Sequence, residues 1–222
     1  MGHQIWPPAE LSVVTPGLTL RYISDELAVE LAHLAAAGIH DPAMQPFSEP
    51  WTDVPSPQLE QNTLRYFWKC RAETTAEHWD LCLGVVVEGK PAGVCTLHGD
   101  DFPTRRSATT GSWLGRGFQG QGLGREMRQA ALHLLFAGFG AERAVTRAWH
   151  DNAASVAVTR SLPYTQTATT QERRRDRLDT MIEFTMMAEQ WNAIKRNDIQ
   201  LNGVPAVREQ LNIEVRPTPS GT

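Results

Sequence analysis

Residues 115–125 read Gly115-Arg116-Gly117-Phe118-Gln119-Gly120-Gln121-Gly122-Leu123-Gly124-Arg125. Together with Gly111, this stretch puts six of the chain's 17 glycines within 14 residues, where average usage would place about one. Two phosphate-binding registers can be read in it. Gly115 to Gly120 spells GxGxxG between a strand-like run and a helix-like run, and Glu142 follows about 20 residues on, as a dinucleotide fingerprint asks. That register fails on its own chemistry. Its third glycine belongs inside the helix, packed on the strand, whereas Gly122 and Gly124 follow here and would unwind the first turn. Glu142 also opens the next strand instead of closing one, and no GxxxxGK[ST] exists for a P-loop. The second register runs from Gln119 to Gly124 and opens a helix at Arg125. Small residues there let several backbone N–H groups converge on one anion, and the helix terminus adds orphan donors and its dipole. Arg125 and Arg128, one turn apart, add positive charge.

Working outward, residues 124–137 carry Met127, Ala130, Ala131, Leu134 and Leu135 on one helical stripe, and residues 107–114 form a strand. Upstream, residues 18–23 alternate as a strand. Asp25 caps a helix through Ala37 that Gly38 ends. Residues 39–57 form a proline-rich loop of a length usually kept for function, and a helix covers 58–73. Two strands then meet at Gly89-Lys90 as a hairpin. Downstream come a strand at 144–150, a short helix at 152–161 stopped by Pro163, strands at 164–171 and 178–187, and a helix from Ala188. The order β-α-α-β-β-β-α-β-α-β-β predicts an α/β (α+β) domain, with a mixed twisted sheet of six to seven strands and helices on both faces. Residues 1–17 read as an irregular lead-in, 18–196 as one domain, and 197–222 as an extension ending in a disordered tail from Arg216.

Composition narrows the function. The net charge of −4 gives no sign of a nucleic-acid binder. No apolar run approaches a membrane span, and the first ten residues lack a signal peptide's n- and h-regions. Three scattered cysteines, Cys70, Cys82 and Cys95, make neither a disulfide nor a zinc framework, which suits a reducing cytoplasm. No metal site is expected. Charge is partitioned: residues 1–104 hold 14 acidic and 5 basic side chains, residues 105–177 hold 5 and 12. An anionic ligand at the centre and a cationic one at the N-terminal part would fit that division. The run Arg173-Arg174-Arg175 reads as a solvated hairpin tip.

The residues now quoted resemble a known family. Gln119-x-x-Gly122-x-Gly124 at a strand-to-helix turn resembles the acetyl-CoA pyrophosphate motif of the GNAT acyltransferases. Asp151-Asn152-Ala153-Ala154-Ser155, followed by Arg160-Ser161-Leu162-Pro163-Tyr164, is similar to the DNxxS and R-K-L-G-Y segments of the branch that acetylates ribosomal-protein N-termini. Gly111-Ser112-Trp113-Leu114 resembles that branch's G-Y-W-L strand. The loop with His40-Asp41-Pro42, Pro46-Phe47-Ser48 and Pro50-Trp51-Thr52 looks like an actinobacterial subgroup. The resemblance covers about residues 18–190. It implies a GNAT fold and an N-acyltransferase that moves an acyl group from acyl-CoA to a primary amine by direct transfer.

It also implies roles. Gln119, Gly120, Gln121, Gly122, Leu123, Gly124 and Arg125 would hold the CoA pyrophosphate. Backbone at Trp113 and Leu114 would bind the pantetheine and the thioester carbonyl. Asn152 would reach the pantetheine arm, cap its helix, or do both. Phe47, Glu49 and Trp51 would wall the acceptor pocket. Where many relatives carry an acid tyrosine this chain has Thr159, so the proton for the thiolate falls to Ser155, with Tyr164 second. Where relatives carry a base glutamate it has Thr109. The base is then Asp101 or its neighbour Asp100, with Glu49, His150, Asp151 and water also open. Cys82 and Cys95 read as core residues, not acyl-enzyme nucleophiles.

The donor implied is acetyl-CoA. Succinyl-CoA is an alternative, because Thr109, Thr110 and Ser112 leave room and the missing glutamate removes a repelling charge. A non-catalytic CoA sensor or scaffold and a nicotinamide oxidoreductase are the competing classes. The expected partner is an amine-bearing acceptor, either a small molecule or a protein N-terminus, with no nucleic acid or membrane and with a homodimer left open.

Overall fold

A computed structural model describes residues 5–214. Its sheet has nine strands: β1 (Ser12–Val14), β2 (Thr19–Tyr22), β3 (His78–Val87), β4 (Lys90–Asp100), β5 (Ser107–Leu114), β6 (Arg143–Trp149), β7 (Thr165–Arg174), β8 (Arg177–Met187) and β9 (Gln200–Asn202). Helices α1 (Asp25–Ala36), α2 (Gln58–Ala72), α3 (Phe102–Arg105), α4 (Leu123–His133), α5 (Ala153–Arg160), α6 (Ala188–Asn192) and α7 (Val204–Gln210) surround it. The strand order is β7-β8-β6-β5-β4-β3-β2-β1-β9. Every neighbouring pair is antiparallel except β5 and β6. No helix among the described residues is long and apolar enough to cross a membrane.

Two more strands are present than the six to seven expected. β1 and β9 have three residues each, too few to show a period, and they pair with each other across the whole chain. They also carry the sheet past the boundaries expected at 18 and 196. Leu11 and Val13 from the supposed lead-in, and Val204, Val207 and Leu211 from the supposed extension, are all buried in the main core. The tail expected from Arg216 lies outside the described residues.

The remaining differences are local. Ser24, not Asp25, caps α1 by accepting from the Leu27 N–H, and Asp25 is left free to take the Arg71 guanidinium. Val87 pairs with Lys90, so the β3–β4 turn is Glu88-Gly89. Both residues have positive φ, 49° and 78°, the form whose twist matches the flanking strands. The helix after the glycine cluster continues as a π turn over Leu134–Gly138. Its expected stripe, Met127, Ala130, Ala131, Leu134 and Leu135, is buried against one face of the sheet. The other face is covered by α1 and α2, through Leu27, Ala28, Leu31 and Phe67 against Val94 and Trp113.

Candidate active site

The site begins where the sheet comes apart. β5 and β6 pair in parallel only from Ser107↔Arg143 to Thr110↔Thr146. Beyond that rung both strands continue, β5 to Leu114 along β4 and β6 to Trp149 along β8. Their facing backbone edges therefore stand open from Gly111 to Leu114. An open edge offers unpaired N–H and C=O groups to a ligand with its own amides. The two threonines close the apex: Thr110 Oγ1 donates to the Val145 carbonyl and Thr146 Oγ1 to the Thr110 carbonyl. Gly111 stands at the first open position, and a Cβ there would meet nothing within 4 Å.

The opening leads straight into the glycine cluster. Gly120 and Gly122 have φ of +72° and +83°, and added Cβ atoms at Gly117, Gly120 and Gly122 would project into empty space. Gly122 is the N-cap of α4 and has no side chain to cap it. Among the described residues, no acceptor meets the N–H groups of Gly120 to Gly124. Free donors at a helix start are what an anion needs. Gln119 does not add its side chain to them. Its Nε2 donates to the Leu114 and Ile39 carbonyls, both at 2.7 Å, so it braces the cradle against the end of β5 and the proline-rich loop. Gln121 likewise ties back to the Gly117 carbonyl.

The proline-rich loop covers the opening on the α1/α2 side. Phe47 packs on Trp51 at 5.1 Å and Trp51 on Trp113 at 6.1 Å between ring centroids. Trp149 Nε1 donates to the Phe47 carbonyl at 2.8 Å. Glu49, expected beside these rings, is exposed. The arginine run is no solvated tip. Arg174 is buried and donates to the Gln45 carbonyl, to Asp151 and to Asp179, while its guanidinium lies 4.9 Å over Trp149. Arg175 forks onto Asp53. β7 and β8 pair up to Arg174↔Arg177, further than the strands expected, and this carries the two arginines into contact with the loop.

A family model of the acetyltransferase (GNAT) domain matches residues 18–165. The chain belongs to the GNAT acetyltransferase family. It is an acyl-CoA-dependent N-acyltransferase. Solved structures repeat the fold at low identity. One is described as the RimL ribosomal L7/L12 alpha-N-protein acetyltransferase in complex with coenzyme A. It shares 21% identity over 78% of this chain and 96% of its own, with a TM-score of 0.66. A second, from Salmonella typhimurium, is described as modifying the N-terminal serine of ribosomal protein L7/L12. It shares 21% identity over 79% and 98%, with a TM-score of 0.65. A GCN5-related N-acetyltransferase from Brucella melitensis shares 17% over 83% and 81%, with a TM-score of 0.67.

The catalytic expectations for this GNAT chain separate in space. Asn152 caps α5, its Oδ1 accepting from the Ser155 N–H at 3.1 Å, while its amide reaches the Pro46 carbonyl at 3.4 Å. Ser155 is half-buried at the third position of α5, and Thr159 is buried one turn later with its hydroxyl on the Ser155 carbonyl. Tyr164 has a buried hydroxyl without a partner among the described residues. Asp101 is elsewhere. His98 pairs with Thr109 and Thr96 with Gly111, so Asp101 lies five residues past the opening, about 16 Å along a strand. It is exposed there, ahead of α3. His150 and Asp151 are bound to Asp179 and Arg174. Burial pushes the Cys95 thiol up to about 11, which keeps it neutral and inert.

A cluster of which the sequence reading named only Asp100 lies closer. His98 Nδ1 meets Asp80 and its Nε2 meets Asp100, both at 2.9 Å, and His78 Nδ1 meets Asp100 at 2.7 Å. His98 shares the face and rung of Thr109, about 7 Å along the strand from Gly111's partner. The Asp80 hydrogen bond, against some burial and with help from Asp100, raises His98 to about 9. At neutral pH it is an imidazolium with both nitrogens engaged, one on each of Asp80 and Asp100.

The network makes a stability prediction. The folded pKa of His98 lies above its ordinary value of about 6.5, so its contribution is complete below that pH and disappears as pH rises through about 9. Asp100, lowered chiefly by His78 and then by His98, contributes above the ordinary carboxylate range and is lost on the acid side. In urea melts, the stability gap between the unsubstituted chain and His98→Gln should close as pH passes about 9. A gap that stays constant with pH contradicts the network.

Proposed function

We propose that the chain transfers an acetyl group from acetyl-CoA to a primary amine by direct attack in a ternary complex. The observation that carries this is the ending of the β5–β6 ladder at Thr110↔Thr146, with the open edge running into the unpartnered N–H groups at the start of α4. The pyrophosphate sits on Gly120 to Gly124, with Arg125 beside it. The pantetheine amides bond the free edge of Trp113 and Leu114, and the thioester carbonyl rests near Gly111. The acceptor enters from the opposite face, under Phe47, Trp51 and Trp113. Asp80 and Asp100 supply negative charge there, which suits an ammonium group before it loses its proton. The α-amine of a protein N-terminus, the acceptor named for the RimL structures, has this chemistry and fits the open end of the groove. The carboxylates on this face, Asp80, Asp100, Glu172 and Glu183, are each engaged, so water takes the amine's proton.

Ser155 stands where the thiolate departs and supplies its proton. Ser155→Ala should lower turnover about 100-fold, the scale of a lost general acid, and leave the acetyl-CoA affinity within about twofold. A screen of amines and of peptides with free N-termini, read by CoA release, tests the reading as a whole. Saturable acetyl-CoA binding without CoA release by any acceptor would contradict it.

A further inference from the structure

Among the buried arginines, Arg128 is the one whose charge is unanswered at the opening. Arg174 faces two carboxylates; Arg106 also has guanidinium atoms, Nε and Nη1, buried without a partner among the described residues, but it stands at the closed end of β5, away from the opening. Arg128 is 5% exposed. Among the described residues no carboxylate pairs with it, and its Nη1 is buried without a hydrogen-bond partner. Its guanidinium lies 6.0 Å over the ring of Tyr164, whose own hydroxyl is also buried and unpartnered. A guanidinium cannot shed its charge to escape burial, so an unpaired one beside a ligand opening offers a place to an anion from outside the chain.

Its place in the fold says which anion. The charge of Arg128 is felt at the Cys95 thiol, and Cys95 pairs with Ser112 in the open stretch of β5. Tyr164 immediately precedes Thr165, which lies on the row Thr165–Thr185–Val145–Thr109, one residue short of the apex of the opening. A Cβ added to Gly124 of the same helix would meet Val158 of α5 at 3.3 Å, so the face of α4 that carries Gly124 and Arg128, one turn apart, is turned towards α5. The titratable groups facing it are Cys95 from β4 and Tyr164 from the segment before β7. Building on the function proposed above, we infer that Arg128 is a catalytic residue that binds the CoA sulfur as a thiolate, with the Tyr164 hydroxyl as a second donor.

In the step itself, the amine lone pair attacks the thioester carbonyl carbon. The tetrahedral intermediate collapses with cleavage of the C–S bond, and the electron pair leaves on sulfur. The amine nitrogen gives up its proton to water. Arg128 keeps all its protons. It lowers the barrier by meeting the charge that develops on sulfur, and Ser155 relays a proton from water to sulfur, regaining one at its own oxygen as it gives one up, so that CoA leaves as the thiol.

The test is the ionisation of bound CoA, followed by thiolate absorbance against pH, with desulfo-CoA titrated in parallel. In the unsubstituted chain the bound thiol should ionise about one unit or more below free CoA. In Arg128→Met the shift should vanish while desulfo-CoA still binds, and Arg128→Lys, which keeps the charge, should retain part of it. A bound thiol that ionises like free CoA in the unsubstituted chain overturns the assignment without any variant. So does an unchanged shift in Arg128→Met. Failure of desulfo-CoA to bind the unsubstituted chain would instead overturn the cofactor reading, and this inference with it.

Discussion

Gly122→Val abolishes useful cofactor binding and leaves the fold standing. Gly122 has φ +83° at the N-cap of α4, and a Cβ there meets nothing within 4 Å. The left-handed conformation costs an L-residue about 1–2 kcal/mol, tolerable for a domain of this size. The larger loss is in the ligand's space. A branched side chain takes up the open space beside the N–H groups of Gly120 to Gly124, and each charge-assisted hydrogen bond to the pyrophosphate is worth about 1.5–3 kcal/mol. Losing two of them weakens acetyl-CoA binding by more than about 100-fold, measured by calorimetry, while circular dichroism is unchanged. Gly117→Ala is the control. Its φ is not positive and its Cβ is equally unobstructed, so its affinity stays within about threefold. Equal loss in both variants would mean that the loop as a whole, not the Gly120–Gly124 donors, sets affinity.

The second large effect is at Arg174. Arg174→Met keeps the length and apolar contacts of the side chain but removes the cation shared by Asp151, Asp179 and the Gln45 carbonyl. Breaking a buried pair from one side costs about 3–5 kcal/mol. Arg177 and His150 still reach Asp179, which places the loss near about 3 kcal/mol and the fall in melting temperature near 6–12 °C for a chain of this length. The loop that carries Phe47 and Trp51 loses one of its anchors, the bond to the Gln45 carbonyl, at the same time. The KM for the amine therefore rises about tenfold while that for acetyl-CoA moves less than about twofold. A loss of stability with both KM values unchanged would confine Arg174 to a structural role.

What the sequence disclosed was local. The Gln119–Gly124 frame, the stripe Met127, Ala130, Ala131, Leu134 and Leu135, and the hairpin around Gly89 depend on residues within a few turns of each other, and all are in the structure. What it hid depends on register. Asp80 and His98 meet only because β3 and β4 align Asp80 with His98, and the β4–β5 register removes Asp101 from the opening. β1 and β9 pair residues about 190 apart, as the Asn202–Ser12 hydrogen bond shows. Arg174 was read as part of a solvated hairpin tip and Arg128 as charge added to the anion site, whereas both are buried. A single charged residue in a polar run carries no sequence signal of burial. What decides it is the partner, and two of Arg174's three partners lie 23 and 129 residues away.

The central claim is where the cofactor lies. Amide hydrogen exchange with and without saturating acetyl-CoA tests it directly. The account predicts new protection at Gly120 to Gly124 and at Trp113 and Leu114, with the paired rungs Ser107 to Thr110 unchanged because their ladder is already closed. Protection that falls elsewhere on the sheet and leaves the Gly120–Gly124 amides exchanging freely would contradict it.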